Sequence, residues 1–381
     1  MTGARGDHIL CCARSLNTAA VLGVVALIAS SCATGLGPHA VRSERPDYNQ
    51  QIVRSGDAEM LLNLVRLRYN DTPLFLELGT VVATYGYDAS FNASGTIPSS
   101  GSSTATLGTG LTYAEHPTIT YAPLAGDKYA TRMLTPIPLD LFMLAQNGWS
   151  DERLLLLVVQ RVNDLFNAPS ASGPTPKIKP DYEAFADFAD RMRRLQAARL
   201  MGLNWDIKQH ATDPPGRDPH FWLHDPADPH SPLAADVAAV RRYLDLEPGR
   251  NDFQLTEFPF KREPNQVGMR CRSLLGVLYF LSQSVEPPAP DVRAGLVTVT
   301  TDDEGNVFDW SKVMGRIMTI HSQADRPERA AVAVRHRGWW FYIADDDQTS
   351  KSTFGLLNIL FSLQSSSGEG KSPLLTLPIG R

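Results

Sequence analysis

The spacing of apolar positions changes several times along the chain, and each change predicts an element. From Ser55 the period is helical: Leu61, Leu62, Leu64, Val65 and Leu67 form a stripe, with Ser55 or Asp57 as cap and Asn70-Asp71-Thr72-Pro73 as stop. Arg66 and Arg68 fall near the C-terminal end of this helix, where its dipole favours cations. The period then drops to two. Val81, Ala83, Tyr85, Tyr87, Ala89, Phe91 and Ala93 alternate with small or polar residues, and beyond a Gly/Ser/Thr tip Ala105, Leu107, Leu111 and Tyr113 resume the pattern. This predicts one long amphipathic β-hairpin over 81–114. Pairing Tyr85 near Tyr113 and Phe91 near Leu107 puts both apolar rows on one face. Thirteen residues of strand reach roughly 43 Å at about 3.3 Å each, longer than a bilayer crossing requires.

Beyond the hairpin, a helix is expected from about Gly126, broken by Pro136 and Pro138 and resumed over Leu139 to Asn147. The run LLLLVVQRVNDLF after Ser150 reads as helix at its start and as strand around Val158-Val159, and periodicity does not choose between them. Residues 169–180 have linker composition. Tyr182 to Leu200 is an amphipathic helix with Phe185, Phe188, Met192 and Leu195 on one face. Residues 211–232, crowded with Asp, Pro and His, read as a polar surface insertion, and helices follow at 233–245 and 265–284. Near the end, a strand over Leu296 to Thr300, a turn at Asp302 to Asn306 and a helix over Asp309 to Thr319 are expected. A hairpin about Arg337-Gly338, a helix capped by Asp347 or Thr349 and running to about Leu363, and a short closing strand LLTLPIG complete the pattern. The helix has Phe354, Leu357, Leu360, Phe361 and Leu363 as its apolar face.

Helices and strands alternate without a regular βαβ rhythm, so the fold class is α+β, with a mixed or antiparallel sheet and packed helices. The expected organisation is a leader at 1–31, a tether at 32–54, an N-terminal α+β region at 55–168 that carries the hairpin, the linker, and a C-terminal α+β region at 181–381.

The leader changes the picture most. Arg5 and Arg14 precede an eleven-residue apolar run, Ala19 to Ala29, which is too short to span a bilayer as a permanent helix. Its ending, Ala29-Ser30-Ser31-Cys32, resembles the bacterial lipobox. That resemblance implies cleavage before Cys32, acyl chains on Cys32 and, with Ala33 rather than Asp following, an outer-membrane destination. An ordinary signal peptide or uncleaved anchor is the other reading of the same stretch. RSLLGVLYFLSQ, WWFYIADDDQTSKSTFGLLNILFSLQ and LTLPIG resemble a family of uncharacterised bacterial envelope lipoproteins, which implies lipidation and one fold for the C-terminal half but no mechanism.

Composition narrows the function classes. The formal net charge is −5, and a chain so balanced, its basic residues scattered, has no electrostatic footprint for nucleic acid. Of four cysteines, Cys11 and Cys12 lie in the leader and Cys32 is the lipid site, so Cys271 remains alone and no disulfide framework is expected. Cys271 lies in an apolar run read as helical, where an inert buried thiol is expected.

Candidate chemistry is sparse. Asp345-Asp346-Asp347-Gln348-Thr349 matches D-x-D-x-[TV] and resembles the nucleophile motif of haloacid-dehalogenase-like phosphatases. Those enzymes need further groups that the 32 residues after Thr349 leave little room for, and an acidic helix cap explains the same residues. His210, His220, His224 and His230 lie among aspartates and read either as zinc ligands or as a solvated loop. In Trp339-Trp340-Phe341-Tyr342, alternation allows an aromatic ligand platform or a strand buried on both faces. No local hydrolase, metalloprotease, nucleotide or dinucleotide motif is present.

The resulting expectation is a lipid-anchored envelope protein, structural or binding rather than catalytic, without cofactor or metal. It would sit on the periplasmic face of the outer membrane with an unidentified envelope protein or ligand as partner. One alternative is a homo-oligomeric outer-membrane pore component donating the 81–114 hairpin, with Tyr85, Tyr87, Phe91, Leu107, Leu111 and Tyr113 as its membrane or oligomer residues. The other is a periplasmic hydrolase lacking a local motif.

Overall fold

The structure, a computed structural model, describes residues 36–96, 104–146, 148–207, 217–257, 263 and 265–365. Cys32, the leader and the closing LLTLPIG lie outside the described residues, as do His210 and the hairpin tip. The fold is α+β with a mixed sheet, as the alternation of periods implied. Contacts divide the chain into two units, Met1–Asp57 and Ala58–Arg381, and the sheets lie in the second.

In chain order the elements are α1 (Leu36–Arg68), β1 (Leu76–Thr96), β2 (Thr104–Pro123), α2 (Asp127–Leu134), α3 (Met143–Gln146) and α4 (Asp151–Val158). There follow β3 (Val159–Val162), β4 (Leu165–Phe166), α5 (Glu183–Ala197), β5 (Met201–Ile207), β6 (Arg217–Leu223), α6 (Pro232–Leu244), β7 (Asp252–Thr256) and β8 (Gln266–Cys271). The chain ends with α7 (Leu274–Ser282), α8 (Ala289–Arg293), α9 (Ser311–Met314), β9 (His321–Gln323), β10 (Ala330–His336), β11 (Trp339–Ala344) and α10 (Gln348–Ser365).

Three sheets form among the described residues: the β1-β2 ribbon, a six-stranded sheet β4-β3-β8-β7-β6-β5, and a three-stranded sheet β10-β11-β9. In the six-stranded sheet only β7 and β8 run parallel. Its buried face, with Phe221, Leu255, Val267 and Met269, meets Leu155 of α4 and Phe188 and Met192 of α5 around a common apolar gap. Arg191 and Arg194 of α5 reach Asp236 of α6 at 2.8 Å each, joining the two outer helices.

The helix-or-strand ambiguity in LLLLVVQRV resolves as both: α4 ends at Val158 and β3 begins at Val159. Two polar side chains distant in sequence fix that switch. Asn167 Nδ2 donates to the carbonyls of Leu156 (2.9 Å) and Val159 (2.7 Å). Arg272, only 1% exposed, donates through Nη1 to Leu157 (3.0 Å) and Val159 (2.6 Å), through Nη2 to the Asn167 carbonyl, and through Nε to Ser172 Oγ (3.0 Å). Its guanidinium stacks 3.8 Å over the Phe280 ring, and burial pushes its pKa down to about 9. A buried cation at a helix C-terminus is thus satisfied by carbonyl dipoles instead of a carboxylate.

Several expectations are corrected. Residues 36–54, expected as tether, are helical, with Pro38 in the first turn, where a missing N–H costs little, and Pro46 inside the helix. Residues 169–180 are fastened to the body: Ala171 and Thr175 are buried, Lys179 N donates to the Thr301 carbonyl and Thr301 N to the Lys177 carbonyl (2.8 Å each), and Thr300 Oγ1 donates to the Pro176 carbonyl. Within 211–232, Arg217–Leu223 is a strand, not a polar insertion; Phe221 and Leu223 face the core while His220 and Trp222 face outward. The expected helix at 265–284 is two elements, β8 and α7, with Arg272 between them and Ser273 as cap, its Oγ accepting from Gly276 N (3.1 Å). Cys271 therefore ends a strand; it is buried and unpaired, and burial raises its thiol to about 12, which keeps it inert. Leu296 to Thr300 is not a strand; only Thr301 forms bridges, to Ile178 and Val307. The helix expected over 309–319 is a single turn, α9, although Val313, Met314, Ile317 and Met318 are buried at helical spacing.

The ribbon confirms a long hairpin with a different register. Tyr87 pairs with Tyr113, Ala89 with Leu111, Ala93 with Leu107, Phe91 with Thr109 and Tyr85 with Glu115. The pairing is two residues away from the expected one, set by Thr96 opposite Thr104 at the tip. An even shift leaves odd positions of both strands on the same face, so the amphipathic character survives.

Candidate functional site

The residues singled out by pattern do not come together. Asp347 caps α10, its carboxylate accepting from Ser350 N (3.0 Å) and Ser350 Oγ (2.5 Å), and Asp345 pairs with Lys351 at 2.8 Å. The D-x-D stretch is an acidic helix cap in this fold. His220 lies 3.1 Å from Asp252 on the outer sheet face, and the His224 ring lies 5.2 Å from that of Trp222. Among the described residues no group of three or more His, Cys, Asp or Glu side chains could hold a metal ion. The WWFY strand is buried on one face, not two: Phe341 and Ile343 are inside, while Trp340 lies beside Arg326 and Tyr342 beside His321. No described helix is long and apolar enough to cross a membrane.

The structure instead assembles a cleft from segments that carry no motif. Its volume is about 430 Å³, within the usual range for small-molecule sites. One wall is the exit of α7 and the following turn, Gln283 to Pro287, with Val292 of α8; the other is Val297 to Thr300 and Val307 to Thr319. Most of the lining is apolar, including Val285, Phe308, Trp310, Met314 and Met318.

Each wall is held by hydrogen bonds that the local sequence does not announce. Ser284 and Glu286 exchange backbone bonds with Ile320 at 2.9 Å each. Trp310 Nε1 donates to Thr300 Oγ1 (3.1 Å). Thr319 N donates to Ser350 Oγ (2.8 Å), and Thr353 Oγ1 donates to the Ile317 carbonyl (2.5 Å), so the capped end of α10 steadies the 317–319 wall.

Arg68 lines this cleft. It follows Leu61, Leu64 and Val65 at helical spacing, so the position lies on the core stripe of α1 and the side chain is only 5% exposed. Nη1 donates to the Thr298 carbonyl (3.1 Å) and Thr175 Oγ1 (3.4 Å), whereas Nε is buried without a partner, and no described carboxylate pairs with the guanidinium. Burial pushes its pKa down to about 10, so the group stays cationic at neutral pH.

Gln283, 2% exposed, lines the same cleft. Its Nε2 donates to the Tyr279 carbonyl and Ser282 Oγ (3.3 Å each), which leaves Oε1 buried and without a donor. The acidic groups of the lining, Glu286 and Asp309, are exposed and engaged elsewhere: Glu286 with His321 at 2.9 Å, Asp309 as acceptor from Ser311 N. Positive charge lies inside and negative charge at the rim.

The residues after Arg68 fix its place. Tyr69 Oη donates to Asp291 of α8 (2.6 Å), and Asp71 takes His336 (3.1 Å) and Arg337 (3.0 Å) at the β10-β11 turn. Burial, led by contact with the core, raises the Tyr69 pKa and lowers that of His336. Sequence reading placed Arg68 at the helix terminus as a dipole partner and passed over Gln283; the available signal was a cation in register with an apolar stripe.

No family model matches the chain, and no curated protein or solved structure is similar to it.

Proposed function

We infer that the chain is a lipid-anchored cell-envelope protein of binding rather than catalytic type, tethered through acyl chains on Cys32 and offering the Arg68 cleft to a small ligand. The observation that carries the binding role is Arg68 itself: a buried cation with an unpartnered donor, placed on the wall of an apolar cleft. An unpaired buried charge is unfavourable to the fold, and such groups cluster where a ligand completes them. The test is chemical analysis of the full chain taken from envelopes in native lipid discs. A small molecule should accompany the wild type at near-equimolar amount and be lost from Val292→Trp, which fills the cleft from a half-buried position. Equal small-molecule content in the two proteins would contradict the reading.

The anchoring part rests on Ala29-Ser30-Ser31-Cys32. Cys32→Ala should accumulate as uncut precursor or be released from the outer membrane, because two or three acyl chains hold firmly where none remain. Normal processing and retention of that variant would remove the lipoprotein assignment.

A second reading has its own support. The β1-β2 ribbon pairs with no other strand among the described residues, so neither outer edge has a strand partner there, and its strands of 21 and 20 residues exceed the roughly 9 to 11 needed to cross a bilayer. A ring of protomers, each giving one hairpin, would close those edges. Replacing Gly86 to Thr112 by a short turn should then abolish both assembly and liposome conductance. A monomeric wild type without conductance ends this reading.

A further inference from the structure

The face of the three-stranded sheet turned away from the core carries a pattern that neither the cleft nor the ribbon uses. On its central strand, β11, Trp339, Phe341 and Ile343 pack on the core, whereas Trp340 and Tyr342 project from the opposite face and stay half-buried. The register sets what flanks each ring: Trp340 lies between Arg335 of β10 and Gln323 of β9, and Tyr342 between Ala333 and His321. Arg326 comes 5.6 Å from the Trp340 ring. Arg326 and Arg335 are both exposed, and neither has a carboxylate partner among the described residues. The Tyr342 row differs, because the His321 imidazole is held by Glu286 at 2.9 Å and Asp345, just beyond, by Lys351 at 2.8 Å. Unpaired positive charge therefore attends Trp340 and not Tyr342.

We propose that this face binds an acidic glycan with a carboxylate on every second sugar. The acidic unit stacks on Trp340 with its carboxylate at Arg335 and Arg326, and the neutral unit that follows stacks on Tyr342. The two ring positions are about 7 Å apart, two residues at about 3.4 Å each, so each meets its own sugar. A sugar hydroxyl donates to Gln323 Oε1, the Nε2 of that amide being taken by the Asp325 carbonyl. A chain charged at every unit, such as polyglutamate or a nucleic acid, would put charge over Tyr342, where no free cation meets it. The two rings and the two arginines do not line the Arg68 cleft, so occupancy of this face does not depend on the cleft.

The experiment is equilibrium dialysis of labelled probes against the full chain in nanodiscs of zwitterionic lipid, with binding to empty nanodiscs subtracted. The probes are a tetrasaccharide of alternating N-acetylglucosamine and glucuronate, the neutral tetramer of N-acetylglucosamine, tetraglutamate and a thymidylate tetranucleotide. The acidic tetrasaccharide should bind at least about tenfold more tightly than each of the others, since one exposed ion pair is worth up to about fivefold and two act together. Trp340→Ala should weaken both oligosaccharides about tenfold through lost stacking. Replacing both arginines, Arg326→Gln with Arg335→Gln, should bring the acidic tetrasaccharide down to the affinity of the neutral one. Arg335→Gln alone, at an exposed position, should weaken the acidic tetrasaccharide about threefold with the melting temperature unmoved, so it reports even where Trp340→Ala disturbs the sheet. The proposal is overturned by equal binding of the two tetrasaccharides, by tetraglutamate or the thymidylate binding as tightly as the acidic glycan, by no binding of either oligosaccharide, or by an unchanged affinity in the double arginine variant.

Discussion

Arg272→Met should cost the fold about 3 to 5 kcal/mol, the largest loss expected from any single polar substitution in this chain. The guanidinium of Arg272 serves the carbonyls of Leu157, Val159 and Asn167 and the hydroxyl of Ser172 in a region without water access. Methionine fills most of the volume but donates nothing, so several buried acceptors lose their partners at once. The α4-to-β3 switch depends on those acceptors being met. Lysine should rescue little, because a single ammonium cannot span carbonyls that a planar fork reaches together. Chemical denaturation of the two variants checks this; a loss below about 1 kcal/mol for Arg272→Met would show that the carbonyls find other donors.

Leu357→Ala should cost about 2 to 5 kcal/mol, the range for emptying a fully buried leucine site. Leu357 is fully buried in α10 with Leu356, Phe354 and Leu360, against the core that includes Phe341 and Ile343 of β11. The same helix holds Ile317 and the cleft residue Thr319 through Thr353 and Ser350, so the loss should be accompanied by weaker ligand retention. Leu363, expected on the apolar face, is 53% exposed, and Leu363→Ala should stay within about 0.5 kcal/mol. A melting temperature unmoved by Leu357→Ala would place α10 outside the core.

Elements whose partners are local were legible. The stripe of α1, the faces of α5 and the β10-β11 hairpin follow from spacing, and at Arg337 (φ 49°) and Gly338 (φ 91°) the positive dihedrals are those of the tight turn that Arg-Gly announced. The alternation of the β1-β2 ribbon was readable as well, but its register was not, because alternation has period two and any even slip satisfies it. The helix at 265–284 failed for a physical reason: β8 and α7 are both buried on most sides, so neither shows a polar face, and the break between them is marked only by Arg272 and Ser273. The polar reading of 211–232 failed because composition averaged a buried strand, Phe221 and Leu223, with its surroundings. The cleft was the least legible feature. Its surroundings are joined by contacts between residues far apart in sequence, Arg68 with Thr298 and Thr300 with Pro176, and none of these positions belongs to a motif. What could be seen was Arg68 at the next position of an apolar stripe, a residue type that seldom sits there without a reason.

Two buried arginines thus occupy opposite roles. Arg272 has its donors met within the fold, and Arg68 lines a cleft with its Nε buried and unmet. The measurement that separates these roles most directly is the stability of Arg68→Met by chemical denaturation, without ligand, alongside wild type. An arginine kept for a ligand leaves the empty protein within about 1 kcal/mol of wild type when replaced, since the bonds lost to the Thr298 carbonyl and Thr175 Oγ1 are offset by removal of a buried charge with one donor unmet. A loss of 3 kcal/mol or more, comparable to that of Arg272→Met, would mean that Arg68 is there to hold the fold and that the cleft has no claim on it.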